Sequence, residues 1–349
     1  MTLLVMLLGL AVLVALDVPI AIALGIVAVV SMVLTSGMSV LPNVALVLFD
    51  GTTKFPLIAI PLFILAGAIM NASGISRRLI AFASAIFGFV RGGLSMVTIG
   101  ASLFFAEISG SAVADVAALG STLIPAMKDK GYPTPFAAAV TSSSATLAVI
   151  IPPSIPMILY GVMSGSSVVE LFVAGIVPGV LGGFLMMGVA HRMAVRHNYP
   201  VEEVFQLRRV WTTFKAASWA LLLPLIILGG IFGGLVTATE GAGLAVLAAV
   251  VIGGVIYREL DLSRLKRAML EGGSQTAVVM LLVATSALLS EYLTEIQVPQ
   301  RIVQGMIGLT HSKVLILALL NVFFLIIGLF LHSAAAIILV VPIVMPLVH

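Results

Sequence analysis

The 349-residue chain has no cysteine, only two tryptophans and few charges. Without cysteine, disulfides and thiolate-based metal sites are excluded. Charged residues make up 9% of the chain, where soluble domains carry about 25%. With 61% hydrophobic residues and a mean hydropathy of +1.26, a soluble globule is excluded too. The formal net charge of +3 is small and sits in loops; it reads as a topology signal rather than a nucleic-acid footprint. No Gly-x-x-x-x-Gly-Lys-Ser/Thr loop is present, which argues against an ATP-driven pump. No His-Glu-x-x-His, no Gly-x-Ser-Gly and no mid-helix Gly-Asp pair is present, which argues against an intramembrane protease. No catalytic residue is expected, and the chain reads as a non-enzyme.

What is present is a series of apolar runs, many reaching the ~20 residues needed to cross a bilayer. Met1 to Leu16 is apolar without a basic leader and is expected to be a retained helix rather than a signal peptide. Met1 to Ser36 is too long for one simple span and is expected to break at Asp17-Val18-Pro19. Residues 1–55 form N-terminal scaffold helices on this reading. Residues 56–165 form a first transport repeat. Within it, 92–128 splits into two arms at Ser109-Gly110-Ser111, each marginal for a span, and so reads as a re-entrant helical hairpin. Residues 133–165 read as one helix broken near Pro152-Pro153. Residues 166–270 are further scaffold helices with a basic linker at 192–215. Residues 271–349 form a second, incomplete repeat.

The basic residues orient this arrangement. Arg192, Arg196, Arg208, Arg209 and Lys215 place the 192–215 linker in the cytoplasm. The turn between 216–235 and 238–257 carries no basic residue and faces outward. Arg258, Arg264, Lys266 and Arg267 bring the next loop back to the cytoplasm. Trp211 and Trp219 fit interfacial anchors. The Thr237-to-Glu240 spacing suggests a capping box.

The second half echoes the first about 220 residues on, as transporter repeats do. Ile75-Ser76-Arg77-Arg78-Leu79 aligns with Val298-Pro299-Gln300-Arg301-Ile302, and Ile124-Pro125-Ala126-Met127 with Met345-Pro346-Leu347-Val348. The loop assignments make an inverted pair plausible. The counterpart of the broken helix 133–165 would begin after His349, so a missing C-terminal part is expected. The fold expected is an all-α polytopic membrane protein with inverted repeats, re-entrant hairpins and broken helices.

The segment Gly100 to Tyr160 carries the chemistry. It holds Glu107, Asp115, Ser109-Gly110-Ser111, the polar run Thr141 to Ser144, and Pro152-Pro153. Polar groups and helix breakers at membrane depth are costly and persist where broken helices line a water-accessible cavity. That pattern points to a solute or ion site in a transporter. Ser and Gly in membrane helices also serve close packing. Glu107 and Asp115 either bind a cation or proton, or support the hairpin by capping and pairing.

FFAEISGSAVADVAALGSTLIPAM, AVIIPPSIPMILYG and GLVTATEGAG resemble the large membrane subunit of tripartite ATP-independent periplasmic (TRAP) transporters, the DctM-like M subunit. The resemblance runs across nearly the whole chain. It implies a multi-pass protein of the bacterial or archaeal inner membrane, with a scaffold and a transport domain moving as an elevator. It implies a sodium-driven permease subunit importing organic acids such as C4-dicarboxylates or sialic acid. The expected partners are a small Q-like membrane subunit, a periplasmic P-like substrate-binding protein, the lipid bilayer and a small carboxylate. No cofactor and no nucleic acid is implied, and sodium is the only metal. A single-component sodium/dicarboxylate or citrate carrier with similar hairpins is the alternative. Two features depart from the pattern: the second Thr-Pro-Pro-type broken helix is missing, and His332 stands where an acidic residue is common.

Sodium is a hard cation and prefers oxygen ligands. Pro152 and Pro153 have no N–H, which frees carbonyls about one turn earlier, near Leu147 to Val149. On the resemblance, the sodium ligands expected are Ser109, Gly110, Ser111, Ser144, Leu147, Ile150 and Pro152, with Gly328 and Ser333 in the second hairpin. Thr141, Ser143 and Ser154 are the substrate candidates, and Glu107 and Asp115 the hairpin supports. Half-helix N-termini would suit a substrate carboxylate.

Overall fold

The computed structural model describes residues 2–109, 112–201, 205–298, 300–301, 312–328 and 333–348. Among these the protein is all-helical, and extended pairing is confined to a single bridge between Arg91 and Val201. The helices are α1 (Thr2–Ala15), α2 (Ile20–Ser36), α3 (Leu41–Thr52), α4 (Ala59–Ala72), α5 (Ile75–Phe87), α6 (Gly93–Ser109), α7 (Ala112–Asp129) and α8 (Thr134–Ala145). They continue with α9 (Leu147–Ile150), α10 (Ile155–Ser164), α11 (Val168–Arg196), α12 (Leu207–Phe232), α13 (Ala238–Val251), α14 (Leu262–Glu295), α15 (Lys313–Gly328) and α16 (Ser333–Val348). A π-helical turn, Ile252–Ile256, extends α13.

Five of the described helices are long and apolar enough to cross a membrane, six if the bent pair Thr134–Ile150 and Ile155–Ser164 is one span. Local sequence explains the ends. The N-terminal apolar stretch stops at Asp17, whose backbone is left-handed (φ 62°), and restarts behind Pro19. At the start of α13, the Thr237 hydroxyl accepts from the Glu240 N–H at 3.2 Å while the Glu240 carboxylate accepts from the Thr237 N–H at 2.7 Å. This is the capping box that the spacing predicts. The basic stretch 192–215 is mostly helical. The Arg192 and Arg196 positions complete α11, and Arg208 to Lys215 open α12, leaving about ten linking residues between them.

The chain folds as two compact units. One comprises Ile58–Ile158 and Ser167–Ser274, the other Met1–Leu57, Leu159–Ser166 and Gln275–His349. In the second unit, α2 and α3 meet α14 through small residues: a β-carbon at Gly25 of α2 would press on Thr285 and one at Gly51 of α3 on Ala287. The Thr35 and Tyr292 hydroxyls hydrogen-bond at 2.9 Å beside this contact, and Tyr292 is buried.

The first unit holds the hairpin arms, the broken helix as far as Ile158, and α11. Its core runs through α4–α9 and on into α11–α13, including Ile69, Leu79, Ile99, Leu119, Leu147 and Leu223. The hairpin arms α6 and α7 pack on each other, and α8 packs on both.

A polar cluster fastens one edge of this unit. Glu259 takes ion pairs from Arg77 and from Arg78, the latter at 2.6 Å. The Arg78 guanidinium also lies 3.8 Å over the Tyr257 ring, and Arg264 donates to the Glu259 carbonyl at 2.9 Å. Gly74, before α5, has φ 71°, which favours glycine, and a β-carbon there would push the Glu259 carboxylate aside.

Candidate functional site: a broken helix braced by a glycine face

The break begins where α8 ends. Thr146 turns the chain into the short α9, and the Ile151 N–H makes the last helical bond, to the Leu147 carbonyl at 2.8 Å. Residues Ile151 to Ser154 are not helical, because Pro152 and Pro153 offer no N–H. The axis then resumes as α10 with a 41° bend. Ser154 repairs part of the gap. Its hydroxyl donates to the Val149 carbonyl at 2.6 Å and accepts from the Met157 N–H at 3.4 Å. Of the carbonyls before the break, Leu147 keeps its helical bond from the Ile151 N–H, and Val149, one of the two (with Ala148) that the prolines leave without a helical donor, takes the Ser154 hydroxyl. The Leu147 and Val149 carbonyls each keep a second lone pair for another partner.

The helix α11 lies directly against this break. Gly175, Gly179 and Gly183 recur every four residues on one face, the small-residue spacing that lets membrane helices approach closely. A β-carbon at Gly175 would collide with the Ile150 carbonyl oxygen and the Met157 side chain, and one at Gly179 with Ile151. A β-carbon at Gly183 would press on Leu103 of α6 at 2.7 Å. One glycine face thus meets both the break and a hairpin arm. The Ile150 carbonyl, an expected sodium ligand, faces this helix.

On the opposite side of α8 a row of hydroxyls is buried. Ser95, Thr98 and Ser102 of α6 and Ser144 of α8 are fully buried, and Thr141 nearly so. Ser95 and Thr98 bond back to their own helix, to the Gly92 and Leu94 carbonyls. Ser102 crosses to the broken helix, donating to the Ser144 hydroxyl at 2.8 Å. Ser144 in turn donates to the Thr141 carbonyl at 3.2 Å. Ser102 is a site residue that the sequence reading misses; its signal is the run Ser95, Thr98, Ser102, one face of a helix at i, i+3 and i+7. Ser102→Ala is expected to destabilise the protein by about 1 kcal/mol, and Ser95→Ala less, since Ser95 bonds only locally. Thermal unfolding of both variants in detergent checks this; equal shifts would remove the cross-helix role.

The candidates named from the sequence do not all converge. Ser144, Leu147 and Ser154 are buried within the broken helix. Thr141 points to the buried α6 and α7 side, where its methyl approaches Gly120, whereas Ser143 faces outward into an apolar groove. Thr141 and Ser143 therefore do not share one pocket wall. Asp115 is buried in the first turn of α7, where a carboxylate suits the helix dipole. Glu107 lies on α6, Ser109 closes it, Gly328 closes α15 and Ser333 opens α16. Gly110, Ser111 and His332 lie outside the described residues. Among the described residues no group of His, Asp and Glu is arranged to hold a metal ion. Oxygens of serine hydroxyls and freed carbonyls are the donors the break offers, and these suit a hard monovalent cation.

With five of its described helices long and apolar enough to span, or six counting the broken one, this all-helical protein is a polytopic membrane protein. Residues 7–349 match the family described as "Tripartite ATP-independent periplasmic transporter, DctM component". The chain is 40% identical over 334 residues to the isethionate TRAP transporter permease protein DctMQ of Oleidesulfovibrio alaskensis, covering 95% of this chain and 52% of that one. It is 37% identical to the sialic acid TRAP transporter permease protein SiaT of Haemophilus influenzae, covering 82% and 47%. It is 39% identical to the C4-dicarboxylate TRAP transporter large permease protein DctM of Pseudomonas aeruginosa, covering 82% and 67%. The chain thus spans about half the length of the first two relatives. It belongs to the DctM family of TRAP transporter large permeases, a family of multi-pass inner-membrane permeases and not of enzymes.

Proposed function

We propose that this chain forms the hairpin-and-broken-helix core of the large permease subunit of a sodium-driven transporter that imports small organic acids. The observation that carries the proposal is the direct tie between hairpin arm and broken helix, Ser102 to Ser144 at 2.8 Å. It ties the hairpin arm α6, which ends at Ser109, to the helix that leads into a break offering backbone carbonyls and the Ser154 hydroxyl. Oxygen donors of this kind are what a sodium ion needs at membrane depth. The relatives' names support an anionic cargo: isethionate, sialic acid, C4-dicarboxylate and 2,3-diketo-L-gulonate. On this reading the protein works with a small Q-like membrane subunit and a periplasmic P-like binding protein, and the unit carrying hairpin and break moves as an elevator.

The test is uptake of radiolabelled carboxylates into proteoliposomes holding the full-length permease and its small subunit, with and without an inward sodium gradient and the binding protein. Uptake that needs both supports the tripartite sodium-coupled reading; uptake with sodium alone points to a single-component carrier. In the same assay, Ser109→Ala and Ser111→Ala are expected to raise the half-saturating sodium concentration about tenfold or more, the loss of one or two direct ligands. Normal sodium activation in both variants sinks the hairpin-tip assignment.

A further inference from the structure

Between α8 and α11, over Ile99 of α6, runs a groove of about 370 Å³. Its walls are Phe136, Ala139 and Val140 on one side and Met186, Val189 and Met193 on the other. It plays no part in the break: Ser143, the one polar wall residue, points away from Thr141 and Ser144. The groove lies on the most outward-facing of the spanning helices, since only 22% of the α11 span is buried. An apolar groove open at that depth faces hydrocarbon, and a water-filled or empty one would forfeit contacts along its whole lining.

One end of the groove is chemically different. The α11 stripe Met186, Val189, Met193 continues one turn on to Arg196, with Arg192 beside it, and both positions are exposed. Neither makes an ion pair among the described residues. Phe136 is at once a groove wall and part of an aromatic cluster at this end: Tyr132 stacks on it at 6.3 Å, Tyr199 lies 5.1 Å away, and His197 stacks on Tyr199 at 5.7 Å. Tyr and His bodies with polar tips are characteristic of the membrane–water boundary. The positive-inside rule puts this end in the cytoplasmic leaflet, the one carrying anionic lipid.

We propose that this groove is a binding site for one anionic phospholipid of the phosphatidylglycerol type. One acyl chain lies between α8 and α11, and the phosphate sits at Arg192 and Arg196. The occupant is set by the complementarity of the two ends, apolar along the helices and cationic with an aromatic collar at the mouth. Neither a soluble anion nor an uncharged lipid matches both. The bound chain would wedge α8, the first half of the broken helix, against the helix that braces the break.

Native mass spectrometry of the full-length permease with its small subunit, exchanged into phosphatidylglycerol and phosphatidylcholine, tests this. Wild type is expected to retain one phosphatidylglycerol in preference to phosphatidylcholine. The double variant Arg192→Gln/Arg196→Gln should lose that preference about thirtyfold, and the single Arg196→Gln about fivefold, following the surface attraction of each basic residue. Arg208→Gln, a nearby basic residue on α12, should leave it unchanged. Ala139→Leu, which fills the exposed wall without disturbing packing, should expel both lipids. Unchanged retention in the double variant overturns the proposal, as does an Arg208→Gln effect of the same size, which would indicate non-specific surface attraction. Retention of the lipid by the permease alone but not by its complex with the small membrane subunit also overturns it, by making the groove a protein interface.

Discussion

Gly175→Val is expected to reduce transport to background while leaving the permease inserted and assembled. Gly175 is the point where α11 touches the backbone of the break as well as a side chain beyond it. Even a single β-carbon there would overlap the Ile150 carbonyl oxygen and the Met157 side chain. A flexible side chain could step aside, but a carbonyl fixed between the last bond of α9 and two prolines has no such freedom. Valine adds two more methyls to the same space, so α11 must move outward or the break must change shape. Overpacking of this kind costs about 1–3 kcal/mol, too little to unfold a large helical unit but enough to shift oxygens that must lie within tenths of an ångström of an ion. Gly188→Val on the same helix is the control, since a β-carbon at Gly188 meets nothing within 4 Å. Sodium-driven uptake in proteoliposomes is expected to fall more than tenfold for Gly175→Val and to stay near wild type for Gly188→Val. Normal uptake by Gly175→Val would mean that the contact is incidental.

The break itself is legible in the sequence because two consecutive prolines cannot be accommodated in any helix interior. The same holds for the Asp17-Val18-Pro19 interruption and for the Thr237–Glu240 capping box. In each case a few adjacent residues settle the backbone locally. What braces the break is far less legible. The glycine spacing on α11 is visible as a small-residue pattern, but nothing in it says that its partner is a carbonyl at position 150. Ser102 and Ser144 are 42 residues apart and meet only because α6 and α8 pack side by side. Thr141 and Ser143 look equivalent in a polar run, yet two residues is about 200° around a helix, and they end on different faces. The basic stretch 192–215 reads as a loop by charge alone. Arginine and lysine are good helix formers that keep their heads in water, and the structure continues both flanking helices into it.

Glu259→Lys is expected to be the most destabilising single change outside the membrane-spanning segments. Glu259 faces Arg77, Arg78 and Arg264, with the Tyr257 ring beneath Arg78. Its two pairs are not equal. Arg77 has a side chain 74% exposed, so that pair contributes little, whereas Arg78 and Glu259 are each only 24% exposed. The Arg78 hydrogen bond, more than the neighbouring charges, holds the Glu259 carboxyl below the usual carboxylate range. Removing the charge as Glu259→Gln should therefore cost about 1–2 kcal/mol. Lysine adds a cation to three others and should cost more. The sign with pH follows from the lowered value. A carboxyl that is more acidic folded than unfolded stabilises fully above its unfolded value, about 4.3. That contribution is lost as pH falls through the folded value. The difference in thermal stability between wild type and Glu259→Gln is thus expected to be constant from about pH 8 to pH 6 and to shrink below about pH 4.5. The guanidinium partners stay protonated throughout, so titration of the cluster over this range belongs to Glu259. A gap that stayed fixed or widened in acid would mean that Arg78 is held by Tyr257 and the Gly74 carbonyl, and that Glu259 is a bystander in the clamp.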